Sequence, residues 1–325
     1  MEPVTKEASA PPQPPSAPGV AQSGIVEVAP GVAYIKAGMA NVYFVGEPGG
    51  NWVLIDTGVP GKAPKIIDAA LRRYGPGARP EAILLTHGHA DHSGSAKELA
   101  EYWNVPVYVH RLEMPYLTGR SPYPPADPTT PGYMAFTTRF IKRQIPDLSD
   151  HVRAFDMGDR LPGLEHWECH LTCGHTAGHV VFFRPYDAVL IAGDAIVTVD
   201  LDSAMAVALK RQRVCRPPAP FTPDWRQARE SVRFMAGLRP FVIATGHGRP
   251  MSGNEATAQL ASLARDFPIP RRGRYVVEPA RLNDNGVVSL PPEPEDTLPK
   301  KAAIAGVAAL VCAGLGFLLT RRNRE

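Results

Sequence analysis

A chain of 325 residues with a hydrophobic fraction of 44% is long enough to bury a sizeable core, as one large domain or two modest ones. Its formal net charge of only +3 gives no case for nucleic acid as the main partner. Four cysteines (Cys169, Cys173, Cys215 and Cys312) do not make a disulfide framework in a chain this long.

Residues 1–24 hold no apolar run and no early basic cluster, so they are not a secretory signal; they read as a disordered arm rich in Pro, Ala and Ser. Short strands follow over 25–56, broken by Pro30-Gly31 and by Pro48-Gly49-Gly50, a hairpin signal. Ile66, Ile67, Ala70 and Leu71 recur at helical spacing within 62–74. AILLT at 82–86 is a short apolar strand, 93–103 a helix and VPVYVH at 105–110 another strand. This β-α-β-α-β rhythm is that of a sheet covered by helices. Residues 117–150 interrupt it with Pro122, Pro124, Pro125, Pro128 and Pro131, then a helix around 134–144; the stretch is either a lid or an ordinary surface insertion. Strands resume at 166–172, 180–184 and 188–192, then a helix at 224–237, a strand at 240–244 and a helix at 254–266.

Residues 269–299 read as a Pro-rich linker, and 300–325 as a membrane anchor. Ala302 to Leu319 carries no charge and spans roughly 27 Å as a helix, close to the hydrocarbon thickness of a bilayer. Lys300 and Lys301 flank it on one side, and Arg321, Arg322 and Arg324 on the other. A buried helix of the globular part is the competing reading. Basic residues on both sides leave the positive-inside rule undecided, and without an export signal the default places residues 1–299 in the cytoplasm.

The densest chemistry lies in Thr86–His92, THGHADH, where His87, His89, Asp91 and His92 put four potential metal ligands within six residues. Each remaining ligand type also follows a predicted strand: Asp56 after WVLI, His175 and His179 in TCGHTAGH, Asp194 after VLIAG and His247 after FVIATG. Strand ends on one sheet edge bring distant residues together, and α/β proteins bind ligands there. Imidazole with carboxylate suits zinc, and also iron or manganese. Asp91 and His92 fall at the start of the next helix, where the N-terminal partial charge favours a carboxylate. His110, His151, His166 and His170 stand isolated and read as structural or exposed. Cys169 and Cys173 have the wrong spacing with His170 and His175 for a zinc knuckle; Cys173 is either an oxidisable thiol or a small apolar filler.

Five motifs in order (LIDTG, HxHxDH, CGHTAGH, the Gly-Asp at 193–194 and the Gly-His at 246–247) make residues 25–268 resemble a metallo-β-lactamase-fold hydrolase of the glyoxalase II-like branch. The resemblance implies an α/β fold, a four-layer αββα sandwich. It implies two divalent metal ions, zinc first. His87, His89 and His175 would hold one, Asp91, His92 and His247 the other, with Asp194 bridging. Asp56 and His179 would orient ligands from behind. Asp91 and Asp194 would take part in the chemistry. A water shared by two metals, with its pKa lowered to about 7, would attack an ester, lactone or thioester of a small-molecule substrate. Mononuclear iron sulfur dioxygenases and phosphodiesterases share much of this pattern, and a non-catalytic membrane-tethered binding module is the other class of reading. In the insertion, Tyr123, Tyr133, Phe136 and Arg139 are candidate substrate contacts, which lid packing explains equally well. An anchor favours an amphipathic or acyl-chain substrate. The sequence is silent on oligomeric state.

Overall fold

The computed structural model describes residues 24–140 and 144–296. The first sheet grows in chain order. Strands β1 (Val26–Ala29), β2 (Val32–Ala37), β3 (Ala40–Val45) and β4 (Val53–Ile55) pair antiparallel as a meander. Strands β5 (Ile83–Leu84), β6 (Val107–His110) and β7 (Val152–Phe155) then add in parallel. Parallel neighbours need crossovers. Helix α1 (Ala63–Tyr74) joins β4 to β5, and the turn α2 (Ala90–Ser93) with helix α3 (Ala96–Trp103) joins β5 to β6. Helices α4 (Met114–Leu117) and α5 (Tyr133–Thr138) lie in the longer path to β7.

Four antiparallel or parallel pairings build the second sheet from β8 (Glu168–Leu171), β9 (Val180–Arg184), β10 (Val189–Ile191), β11 (Val242–Ala244) and β12 (Met251–Ser252). Helices α6 (Ala204–Ala208) and α7 (Trp225–Gly237) separate β10 from β11, and α8 (Asn254–Arg265) follows β12. Helix α9 (Arg274–Val277) and the hairpin β13 (Arg281–Asn283)–β14 (Gly286–Ser289) come last.

Strand residues alternate between cores, as a period of two requires. Leu54, Ile83 and Phe44 face α1 and α3, while their neighbours Ile55, Leu84 and Tyr43 face the second sheet. In the second sheet Val180, Phe182 and Ile191 point to the first sheet, and Val181, Phe183 and Leu190 to α7 and α8. The layers are therefore helix, sheet, sheet, helix. Strands covered on both faces read as continuous apolar runs, which is why AILLT and VLIAG lack alternation.

Helix ends follow local chemistry. Pro64 starts α1, whose buried face is Ala63, Ile66, Ala69 and Ala70. The side chain of Asp224 caps α7 by accepting from Gln227 N at 2.9 Å. Asn104 ends α3 in the left-handed conformation.

Three expectations need correction. The helix expected at 93–103 begins only at Ala96, as α3; the separate turn α2 precedes it, and Ser95 at φ -105, ψ 10 departs from helical geometry between them. Strand β7 was not expected, since VRAF has one buried residue and no apolar alternation. The expected linker from 269 onward instead carries α9 and a hairpin through Ser289. Tyr275, 3% exposed, and Ala280 form a small core with Trp225 and Ala219, so this segment has apolar anchors despite its prolines. Contacts group the chain through Pro291 as one unit. The arm expected at 1–24 lies outside the described residues up to position 23, and so does the anchor expected at 300–325. Among the described residues no helix is long and apolar enough to cross a membrane.

Candidate metal centre

Every ligand and orienting residue expected from the motifs sits in the segment leaving a strand end. Asp56 follows β4, His87 and His89 follow β5, Asp91 and His92 lie in α2, His175 and His179 between β8 and β9, Asp194 after β10 and His247 after β11. Backbone bonds stitch these ends across the two sheets: Val180 N donates to Thr86 O at 2.9 Å and Asn41 N to Gly246 O at 2.8 Å, while Gly246 N donates to Gly193 O at 2.7 Å within the second sheet.

The side chains converge as three overlapping groups: His87, His89 and His175; His87, His92 and Asp194; Asp91, His92 and His247. Nδ1 of His89 lies 3.1 Å from His87 Nε2 and 3.0 Å from His175 Nε2. His247 Nε2 lies 3.3 Å from Asp91 Oδ2. The two oxygens of Asp194 reach both sides of the cluster: Oδ1 is 3.4 Å from His92 Nε2, and Oδ2 is 3.2 Å from His247 Nε2 and 3.6 Å from His175 Nε2. None of the seven residues is more than 8% exposed. His92 Nε2 and Asp194 Oδ1 are buried and make no hydrogen bond with a described group. Buried polar atoms aimed at one another without a hydrogen bond are costly unless something else pairs them. Five imidazoles and two carboxylates are a donor set that fits divalent cations.

Electrostatics point the same way. Burial, then the neighbouring histidines, hold His87 well below its ordinary pKa, so its imidazole is neutral. Burial lowers His175 to about 4, against a pull upward from Asp194. Burial also opposes charge on His92 and His247, but Asp194 with Asp56 raises the first, and Asp194 with Asp91 raises the second to about 9. Asp194 stays ionised despite burial, because His247 and His92 hold its pKa well below the usual range. Asp194 thus draws both imidazoles toward their protonated forms.

Groups behind the ligands aim them. Asp56 accepts from Thr86 N at 2.8 Å and pairs with His92 Nδ1 at 2.7 Å, which turns His92 Nε2 toward the cluster. Asp56 itself sits at φ 61, a strained conformation for a residue with a Cβ and one common at functional sites. His247 Nδ1 donates to Met39 O at 3.1 Å, freeing Nε2. His179 is not in any ligand group; its Nε2 accepts from Asp194 N at 3.0 Å, so Nδ1 carries the proton and donates to Thr172 Oγ1 at 2.9 Å. Burial keeps this imidazole neutral. Gly193, at φ 48, lets His179 approach: a Cβ there would stand 2.6 Å from His179 Nε2. A Cβ on Gly246 would stand 2.2 Å from Asp194 Oδ1.

Sequence reasoning passed over Glu113. It follows β6, is fully buried, and accepts from Gly88 N at 2.9 Å through Oε2 and from Gly178 N at 2.7 Å through Oε1. Tyr123 OH also donates to Glu113. One carboxylate thus ties the His87–His89 turn to the His175–His179 loop. A lone acid in RLEMP has no spacing signature that would have revealed it.

The candidate substrate contacts separate. Tyr133 lines a cavity of about 450 Å³ that reaches His247 between β2, α5, α6 and the Gly248–Arg249 turn. Tyr123 does not line that cavity; its ring packs 4.7 Å from His89 and 3.9 Å from Tyr116, and its hydroxyl serves Glu113. Arg139 is outside it too, donating to Ala135 O and Pro128 O and so pinning the insertion to itself, and Phe136 packs against Phe140. Among the isolated histidines, His110 is buried and takes Leu112 N on its Nδ1, while His151 and His170 pair with Glu101 and Glu168. Cys173 donates to Ala177 O, and burial pushes its thiol up to about 11, so it is a filler and not a reactive thiolate.

Comparison with known proteins agrees with this geometry. A family model described as the metallo-beta-lactamase superfamily matches residues 35–247. Probable metallo-hydrolase YflN of Bacillus subtilis (strain 168) is 43% identical over 241 residues, covering 73% of this chain and 91% of that protein. Probable metallo-hydrolase YybB of the same organism is 28% identical over 202 residues, covering 62% and 78%. Among solved structures, the BLEG-1 B3 metallo-beta-lactamase has a TM-score of 0.51 at 23% identity, covering 70% of this chain and 95% of that one, a likeness of fold alone. The strand-end cluster of five histidines and two aspartates, the two facing sheets and the family match lead to one conclusion: this chain belongs to the metallo-beta-lactamase superfamily.

Proposed function

We propose that the chain is a dinuclear metal-dependent hydrolase acting on a carboxylic ester, lactone or thioester. The observation that carries this reading is Asp194, whose two oxygens face the His175 side and the His92–His247 side at once. His87, His89 and His175 would hold one ion, Asp91, His92 and His247 the other, and Asp194 both. Bound divalent ions supply Lewis acidity and an acidified water. Zinc suits these donors, and iron or manganese fits them too.

The chain's own residues do the rest. Asp194 holds the two ligand sets in register, and His179 fixes Asp194 through its backbone N–H. Asp56 orients His92, and the Met39 carbonyl orients His247. Asp91, whose Oδ2 faces His247, takes the proton released by the attacking water and returns it to the leaving group. The substrate enters from the cavity that ends at His247.

Metal analysis joined to a substrate panel tests this. Two equivalents per chain are expected, with turnover of at least one ester, lactone or thioester, and Asp194→Ala is expected to lose both. Oxygen uptake with a persulfide by protein holding one iron would replace the reading with a sulfur dioxygenase, and cleavage of phosphodiesters alone would replace it with a phosphodiesterase. Protein that binds no metal would leave a binding module. We also propose that Ala302–Leu319 anchors the protein to a membrane with residues 1–299 on the cytoplasmic side; the support is the uncharged 18-residue run between basic flanks. Recovery of full-length protein in the soluble fraction, unchanged by removing 297–325, would rule the anchor out.

A further inference from the structure

The cavity beside His247 has an uneven chemistry. Lys36 of β2, Lys210 after α6 and Arg249 two residues beyond His247 all line it, and no described aspartate or glutamate does. All three cations are exposed, so they stand at its mouth. None of them forms an ion pair with a described carboxylate. The acids nearest in the chain are engaged elsewhere: Asp202 pairs with Arg216 at 2.8 Å, and Asp200 accepts from the backbone of Asp202 at 3.0 Å. Deeper in, the wall is apolar, with Met134, Val199, Leu201 and Val207. A volume of about 450 Å³ suits a ligand of drug-like size.

Three like charges around one opening repel unless an anion joins them. Lys36 registers this strain, its pKa lowered by partial burial and then by Lys210 and Arg249. An apolar body fits the interior, and an anionic group fits the exposed mouth. We propose that the cavity binds an amphipathic anion, so that the substrate carries an apolar body between its scissile carbonyl at the His247 end and a negatively charged group held by Lys36, Lys210 and Arg249. This rests on the hydrolase reading only for the position of the scissile bond; the binding claim stands apart from turnover.

Calorimetric titration of full-length, zinc-loaded protein with three probes of equal chain length separates the two. Octanesulfonate, octan-1-ol and octyltrimethylammonium share the apolar body and differ in charge. Octanesulfonate is expected to bind about tenfold tighter than the alcohol, the scale of about 1.4 kcal/mol, with the ammonium weakest. The double variant Lys36→Glu/Lys210→Glu, at exposed positions that leave the fold intact, is expected to invert that order while keeping its metal content. Arg249 is left unchanged because it shares the His247 turn. Equal affinity for sulfonate and alcohol would overturn the proposal. So would sulfonate binding that survives charge reversal but vanishes on chelation, since the anion would then sit on the metals. If the probes behave as expected and no ester, lactone or thioester is turned over, the hydrolase reading fails and the anion site remains.

Discussion

At the scale of single residues, the centre depends on a few buried groups that touch no substrate. Glu113 shows how. Its carboxylate receives two backbone N–H groups from the two loops that carry His87, His89 and His175, together with the hydroxyl of Tyr123. Hydrogen bonds to a charged acceptor are stronger than neutral ones, and a buried donor left without a partner costs about 1–3 kcal/mol. Glu113→Ala removes the acceptor of Gly178 N and of the Tyr123 hydroxyl, while Gly88 N keeps its second contact, to Tyr123 OH at 3.0 Å. We expect a loss of about 3 kcal/mol or more in urea unfolding, and metal affinity weakened about 10- to 100-fold in competition with a chromophoric chelator. Glu113→Gln keeps the shape and part of the acceptor capacity, so it should fall between. A variant that loses stability with metal affinity intact would show that the tie does not aim the ligands.

Elements matter through what they hold in place. The segment after α8 is short of regular structure, yet it clamps the insertion between α4 and β7. Tyr275 OH donates to Pro125 O at 2.8 Å, Arg274 N donates to Asp127, and Val287 N of β14 donates to Ser121 Oγ at 3.1 Å. A Cβ on Gly286 would stand 2.2 Å from Ser121 Cβ, so hairpin and insertion touch closely. The same insertion carries α5, whose Tyr133 and Met134 wall the cavity. Tyr275→Ala removes a buried aromatic and its hydrogen bond. We expect a loss of about 3–5 kcal/mol, read from the denaturant midpoint, and faster protease cleavage within 121–131. Cleavage no faster than in the parent protein would mean that the segment does not hold the insertion. Truncation after residue 268 should reproduce the effect, whereas truncation after 291 should not.

For the whole molecule, the four layers close over a site that stores charge. Asp91 and Asp194 are buried among imidazoles, and Asp194 draws His92 and His247 toward their protonated forms. Divalent ions that bind the folded arrangement and not the unfolded chain would stabilise it by mass action. With metal about 1,000-fold above its dissociation constant this amounts to about 4 kcal/mol. Chelation should therefore lower the melting temperature of the full chain by on the order of 10 °C, and added zinc should restore it. A melting temperature indifferent to chelator would contradict a folded-state metal centre.

The divide between what the chain's letters reveal and what folding adds follows from range. THGHADH was legible because ligand type and spacing are local: one strand end and the turn after it present His87, His89, Asp91 and His92 together. The apolar runs before Asp56, His87, Asp194 and His247 were legible for the same reason, since strands buried on both faces must be continuously hydrophobic. The family resemblance then ordered the remaining ligands, and their convergence agrees with it. The sequence by itself therefore determined the α/β class and the motif order, and named a candidate donor set. Only the tertiary structure decided that Glu113 spans two ligand loops, that 269–291 packs on the insertion, and that Lys36, Lys210 and Arg249 ring one opening beside His247. Those pairings join residues far apart in the chain, where no period or motif records a contact; they exist because two sheets pack face to face and bring their strand ends to a common edge.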